Sequence, residues 1–328
     1  MPGRLFRLVS RAAAAGLLAT ATALPVHAQE GPATTGAQVL QLPAGSRAAA
    51  LSGAYVAAAS DADVLFYNPA GAAALEAAAS LAYSRYVQDV ILGSLAGVFR
   101  VGPATLGVGL LYLDAGTVDV IEPDPDFGGE RGRETGATAS AAETAARLAL
   151  ALPLAAGRLR LGAAAGYISN DLAGLSRSAP LFDLGVQFAA LPRLTLGVAL
   201  RNLGGSLTGD GAQDARLPTE ARLGAALELP TIQGFGVQTF ADLVSQLREG
   251  ITSFAAGIEA GLLPRNNAAF GALGRLGYDS ATGEDGLGGF RFGAGLFFAG
   301  VAVDYTYRNL KYFGPTHHIG IRWTRFAP

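Results

Sequence analysis

LTLGVALR, residues 194 to 201, puts Leu194, Leu196, Val198 and Leu200 on one face of an extended chain and Thr195, Gly197, Ala199 and Arg201 on the other. A helix would scatter both sets around its axis, so a period of two reads as a strand. The bulky face is bare of charge, and the opposite face is small or charged. A soluble sandwich, the competing fold, would bury its bulk and keep small residues off its inner face. The inverted order describes a wall with lipid outside and a polar lumen inside.

The same pattern recurs in both directions along the chain. RLRLGAAAGY, from Arg158, alternates Leu159, Leu161, Ala163, Ala165 and Tyr167 with Arg158, Arg160, Gly162, Ala164 and Gly166. TEARLGAALEL, from Thr219, alternates Ala221, Leu223, Ala225, Leu227 and Leu229 with Glu220, Arg222, Gly224, Ala226 and Glu228. Phe182–Ala190, Phe290–Phe298 and Val301–Tyr307 follow suit, and Leu81–Val87 and Phe270–Tyr278 do so more weakly. Leu95–Val101, Leu106–Tyr112, Thr144–Leu152, Phe235–Ala241, Phe254–Leu262 and Ile319–Trp323 bring the expectation to about fourteen strands, the even parity of a closed antiparallel outer-membrane β-barrel. Brief links holding Pro103, Pro153, Pro192, Pro230 and Pro264 read as periplasmic turns. The longer polar stretches Ala115–Glu143, Ser169–Ala179, Gly204–Pro218, Asp279–Gly289 and Asn309–Pro315 read as external loops, which leaves both termini periplasmic.

Composition agrees with this class. Hydrophobic residues make up 50% of the chain, yet no segment after the leader supplies the ~20 consecutive apolar residues of a spanning helix. Residues 1–28 read as a cleaved signal peptide: Arg4, Arg7 and Arg11, an apolar run from Ala12 to Leu24, then Val26-His27-Ala28 before Gln29. Cys is 0, so neither disulfides nor a thioether lipid anchor support an exported chain. A net charge of -2 offers no basic field for nucleic acid.

The inward face collects Arg100, Arg147, Arg158, Arg160, Arg201, Arg222, Arg275, Arg291 and Arg322 with Asp183, Glu220, Glu228, Asp242, Glu259 and Asp304. Mixed signs in comparable number predict a lumen filled by ion pairs, in place of a channel of one sign. His317 and His318 are adjacent and must point to opposite faces of a strand, so no metal site is expected. EPDPDFGGERGRE, from Glu122, lacks the ligand spacing of a calcium loop. GLGGFRFGAG, from Gly286, departs from the dinucleotide fingerprint. No Ser, His and acid trio is singled out, so neither an enzyme nor a cofactor is expected.

A bare barrel has no need of residues 29–78. LPAGSRAAALSGAYVAAASDADVLFYNPAGAAAL predicts a short helix over about Ser46–Ala59, a break at Asp61-Ala62-Asp63, and the turn-forming Asn68-Pro69-Ala70-Gly71, with the barrel running from 79 to 328. The order Gly45, Arg47, Gly53-Ala54, Asp61, Phe66-Tyr67 and Asn68-Pro69-Ala70-Gly71 resembles the N-terminal signature of the PorV/PorQ family of outer-membrane barrels, with a related signature in the FadL family of hydrophobic-compound transporters. The resemblance implies a fourteen-stranded barrel closed by a small N-terminal helical hatch, with Arg47, Asp61, Phe66, Tyr67, Asn68, Pro69 and Gly71 as gating candidates. The first function it implies is a component of type IX-like protein secretion or surface attachment, with secretion machinery or exported cargo as partners beside outer-membrane lipids. The alternative is FadL-like passage of a hydrophobic small molecule through a hatch and a lateral opening.

Overall fold

The computed structural model describes residues 35–86, 90–209, 214–263, 270–282, 289–310 and 314–326. The leader, residues 29–34 of the expected hatch, Pro264 in its link and the tips of three expected loops lie outside them. The wall strands are β1 (Leu75–Arg85), β2 (Ile91–Val101), β3 (Ala104–Pro123), β4 (Gly132–Leu154), β5 (Leu159–Leu172), β6 (Leu175–Leu191) and β7 (Leu194–Gly204). Two short strands follow, β8 (Ser206–Gly209) and β9 (Ala215–Arg216). The wall resumes with β10 (Glu220–Glu228), β11 (Phe235–Gln246), β12 (Ile251–Leu262), β13 (Gly271–Asp279), β14 (Phe290–Phe298), β15 (Val301–Leu310) and β16 (Gly314–Phe326).

Each wall strand pairs antiparallel with its neighbours, β7 joins β10, and β1 pairs β16 from Leu75↔Phe326 to Arg85↔His317. The result is a closed ring of fourteen strands, with β8 and β9 beside it at the loop end. Closure leaves no unpaired edge in the wall, the condition for a sheet in hydrocarbon. No helix among the described residues is long and apolar enough to cross a membrane.

The faces follow the alternation. In β7, Leu196 and Val198 are 40% and 48% exposed on the outside, whereas Ala199 and Arg201 are 1% and 4% exposed. Leu81, Leu95, Leu148, Leu223, Leu296 and Ile321 continue the outer apolar belt around the ring. A closed barrel with such a belt is an outer-membrane protein.

Two of the expected loops are instead strand. β3 and β4 stay paired to Pro123↔Gly132, well past the level at which β2 ends opposite Asp114. This two-stranded ribbon bulges between Asp114 and Thr117 and between Asp119 and Ile121. With both faces wet, its Thr, Ala and Ser residues lack the apolar alternation by which a wall strand is recognised. Asp124 turns its tip, its Oδ1 accepting the Asp126 N–H at 3.0 Å. β5 and β6 likewise run into a two-residue turn at Ala173 and Gly174, with φ of 50° and 83°, the positive values of the tight hairpin turn.

Candidate functional site

The lumen is filled by residues 35–74. Thr35 bridges Arg216 and hydrogen-bonds Glu249, both at the loop end, while Leu75 opens β1 at the turn end. The chain therefore enters from the loop side and descends through the barrel. Both termini were expected at the turn end, where β16 does finish; the residues before Thr35 lie outside the described ones. The expected helix shrinks to α1 (Ser46–Ala50), followed by turns and by 3-10 segments Ala62–Phe66 and Pro69–Ala74. Gly53, with φ of 74°, ends the helical path early. The wall begins at Leu75, four positions before the expected 79.

Arg47, on α1, is 3% exposed and stands at the centre of a closed circuit of charges. Its Nε and Nη2 donate to Glu259 of β12 at 3.0 and 2.5 Å, and its Nη1 to Asp61 at 3.0 Å. Arg275 of β13 donates to Glu259 at 2.9 Å and to Asp304 of β15 at 2.7 Å. Arg322 of β16 donates to Asp304 at 2.6 Å and returns to Asp61 at 3.7 Å. Three guanidiniums and three carboxylates thus alternate around a neutral ring that joins the plug to four strands. Tyr55 is set inside it, accepting from Arg47 at 2.7 Å and donating to Asp61 at 2.5 Å.

A second cluster holds the plug from β10 and β11. Asp242 accepts the backbone N–H groups of Tyr55 and Val56 at 2.9 and 3.0 Å. Arg222 donates to the Gly53 carbonyl at 2.9 Å and to Glu220 at 3.0 Å, and Arg201 of β7 also pairs with Glu220. The Tyr67 ring lies beneath Arg201 and Arg222, whose guanidinium carbons are 5.4 and 5.6 Å from its centroid. Tyr67 donates its hydroxyl to Ala44 O at 3.0 Å.

The Asn68-Pro69-Ala70-Gly71 corner sits on the opposite wall. Asn68 is wholly buried; its Nδ2 donates to Val56 O at 2.8 Å, to Val186 O of β6 at 3.1 Å and to Val198 O of β7 at 3.3 Å. Its Oδ1 caps the corner through the Ala70 N–H at 3.1 Å. Pro69 then starts the 3-10 turn, where its missing N–H has no partner to lose. Wall glycines make the seat: a Cβ on Gly162 would stand 2.2 Å from Ala70 N, and one on Gly185 would stand 1.9 Å from Asn68 Oδ1. Gln187 adds two bonds, to Val56 O at 3.1 Å and Ala58 O at 2.7 Å. Phe66 is covered by Arg147, 5.5 Å from its centroid, and Arg147 reaches Asp183 at 3.4 Å.

Every gating candidate is therefore buried at the plug–wall contact. Of the lumen residues, Arg147, Arg201, Glu220, Arg222, Asp242, Glu259, Arg275, Arg291 and Asp304 face inward among plug contacts or ion pairs. Arg160 is half-buried and bonds Gln187 at 3.2 Å. Arg158 and Glu228 are corrections, since both are exposed at the turn-side rim: alternation assigns a face but not a height along the strand. Tyr55, Asp63 and Gln187 are plug or wall contacts that sequence periodicity does not mark. His317 and His318 split as expected, outward to Tyr305 at 2.8 Å and inward to Ser84 at 2.6 Å. At the loop-side rim, burial pushes the Tyr86 hydroxyl up to about 12, with Arg291 and Arg308 pulling it down, so it stays neutral.

No protein-family model matches this chain, and no curated protein matches it. Solved structures do. The toluene transporter TbuX of Ralstonia pickettii superposes with a TM-score of 0.58 at 15% identity, over 87% of this chain and 98% of that one. The fold is the FadL-type outer-membrane barrel. The CymD monoaromatic hydrocarbon channel gives 0.57 at 14% identity, over 86% and 97%. The P. putida toluene transporter TodX gives 0.56 at 12%, over 87% and 99%. At such identities the likeness is one of fold. It supports the FadL-like fold that the N-terminal resemblance implies, and PorV/PorQ membership is not shown.

Proposed function

We propose that this protein is a FadL-type outer-membrane channel for hydrophobic small molecules, with residues 35–74 as its hatch. The observation that carries the reading is the NPAG corner: a buried asparagine clasps backbone carbonyls of β6 and β7 from inside the barrel. That pair of strands also carries two register shifts, between Phe182 and Leu184 and between Ala189 and Leu191, so its ladder is interrupted on both sides of the clasp. Asn68 then acts as the pin that holds hatch and wall together, and its release frees a path along or through β6–β7. The named activities of TbuX, CymD and TodX support this direction. Secretion, the other implied role, has no support from these neighbours.

The absence of native cysteine makes the test clean. Asn68 Cγ stands 2.9 Å from where a Cβ on Gly185 of β6 would lie, so Asn68→Cys with Gly185→Cys places two thiols where a disulfide can form across the clasp itself. In intact cells, the wild-type barrel should raise the initial uptake of labelled toluene above an empty-vector control. The oxidised double variant should not, and reductant should restore uptake. Equal uptake with and without the wild-type barrel would refute transport; equal uptake in oxidised and reduced variant would refute a moving hatch.

A further inference from the structure

At the seam where β1 meets β16, the outward side chains change in a fixed order from the middle of the wall to its loop-side end. In β1 the order is Leu81, Tyr83, Arg85, all exposed: apolar, then aromatic, then charged. β16 and β15 make the same climb and finish on His317 and Tyr307. Aromatic rings at this level mark the boundary between hydrocarbon and headgroups. Arg85 and His317 therefore stand at headgroup height, on the side of the longer loops.

The top of the climb is one cross-strand row, in which Tyr307 faces His317 and His317 faces Arg85. Opposed Cβ atoms of neighbouring strands lie ~5 Å apart, so one tetrahedral anion reaches both the guanidinium and the imidazole. The Tyr305 hydroxyl holds His317 Nδ1 at 2.8 Å. A neutral ring that accepts the phenol's hydrogen at Nδ1 carries its own on Nε2, and so meets an anion as a donor. Followed around the barrel, the row loses this character. Past Tyr307 it runs into Phe292 and Leu276. Past Arg85 it runs through Ile91 to Asp114, and on through Ala142 to Asp171. The cationic arc of the row is at the closing seam, with an apolar arc on one side and carboxylates on the other.

We propose that this seam binds a phosphorylated glycolipid of the outer leaflet, with the chemistry of lipid A. A phosphate group takes Arg85 and His317, a charge-assisted contact that suits the planar guanidinium. The sugar packs on Tyr305 and Tyr307, and the acyl chains run down over Leu81 and Ile319, which are 57% and 51% exposed. Free phosphate gains little at a pair so open to water. A lipid is held at this height by its chains, so its phosphate meets the pair at high effective concentration. The site depends on the barrel's place in the outer membrane and not on what the lumen carries.

The test is native mass spectrometry of the purified barrel in detergent, titrated with bisphosphorylated lipid A, with dephosphorylated lipid A and with phosphatidylglycerol. Bisphosphorylated lipid A should be retained at one per barrel and bind at least tenfold more tightly than either of the others, and an excess of inorganic phosphate should not displace it. Arg85→Gln should weaken it tenfold or more and His317→Gln at least threefold, while Asp171→Asn, on the acidic arc, should stay within twofold of wild type. Heat-modifiable migration checks that each variant is a folded barrel; should a variant fail that check, the lipid series on the wild-type protein decides alone. Equal affinity for the dephosphorylated lipid would mean that the apolar belt binds without the cationic arc. Equal affinity for phosphatidylglycerol would mean that any anionic lipid serves, and displacement by inorganic phosphate would mean a phosphate site that needs no lipid. Each of these, wild-type affinity in both seam variants, or a loss in Asp171→Asn as large as in Arg85→Gln overturns the proposal.

Discussion

The two halves of the wall hold the same plug by different physics. From β10 to β16 the contact is charge on charge: the six-membered ring through Arg47, and Asp242 on two backbone N–H groups. From β2 to β7 it is chiefly shape: glycines and alanines let plug backbone lie against the sheet, and amides of Asn68 and Gln187 supply neutral hydrogen bonds. Charge enters there as Glu143 on the Val39 N–H, Arg100 on the Ala73 carbonyl, and the guanidiniums over Phe66 and Tyr67, with no plug–wall ion pair among the described residues. The charged half fixes which residue sits where, because a displaced guanidinium leaves a carboxylate bare. The small-residue half fixes how close the chain comes. A plug that must leave is better released from the second, whose contacts separate without breaking an ion pair among the described residues.

The largest effect should come from breaking the ring. Arg47→Met leaves Glu259 and Asp61 short of a cation in a buried site, a loss of about 3–5 kcal/mol. Hydrogen exchange over residues 48–58 should accelerate by at least a hundredfold, and unchanged protection would show that the ring contributes little to seating. Next is Asn68→Ala, which removes the donor from three carbonyls and should cost about 1–3 kcal/mol, read as greater exchange at residues 64–74 and more frequent open events in planar bilayers. Gly162→Val tests the shape half alone: a side chain where Ala70 N now stands must push the corner away at about 1–3 kcal/mol, with the same two readouts and Arg47's region left protected. If Gly162→Val loosens residues 48–58 as much as 64–74, the halves are one unit and the comparison fails. The smallest effect belongs to salt. Ion pairs this deeply buried are screened weakly, so raising NaCl from 0.1 to 0.5 M should change exchange over residues 48–58 less than twofold.

The fold was open to reading because lipid and lumen impose opposite demands on alternate residues. Leu196 and Val198 against Ala199 and Arg201 state both demands within six positions, and fourteen such segments give the parity. Where both faces meet water, as in Thr117–Asp119 and Thr135–Ser140, no contrast exists, and strand reads as loop. The site was legible in its composition and not in its pairing. Mixed charge on the inner face implied neutral networks, but the circuit closes through Glu259, Arg275, Asp304 and Arg322, whose relative heights depend on strand tilt and register. Arg158 and Glu228 fell outside it for the same reason. The purpose of the inward glycines was also hidden: Gly162 and Gly185 are small because a corner of the plug occupies the space a side chain would take.

The path of residues 35–74 has one more consequence, for the order in which the molecule is made. The chain is a thread that passes the full depth of a ring woven from its own continuation. A ring completed first would have to draw Arg47 and Asp61 through an opening lined with carboxylates and guanidiniums of the wall. A sheet that wraps around an already folded thread avoids that passage, and its last stitch is the seam between β1 and β16, the two strands whose sequence separation is greatest. The residue at which the thread becomes cloth, Leu75, is then the pivot about which closure turns.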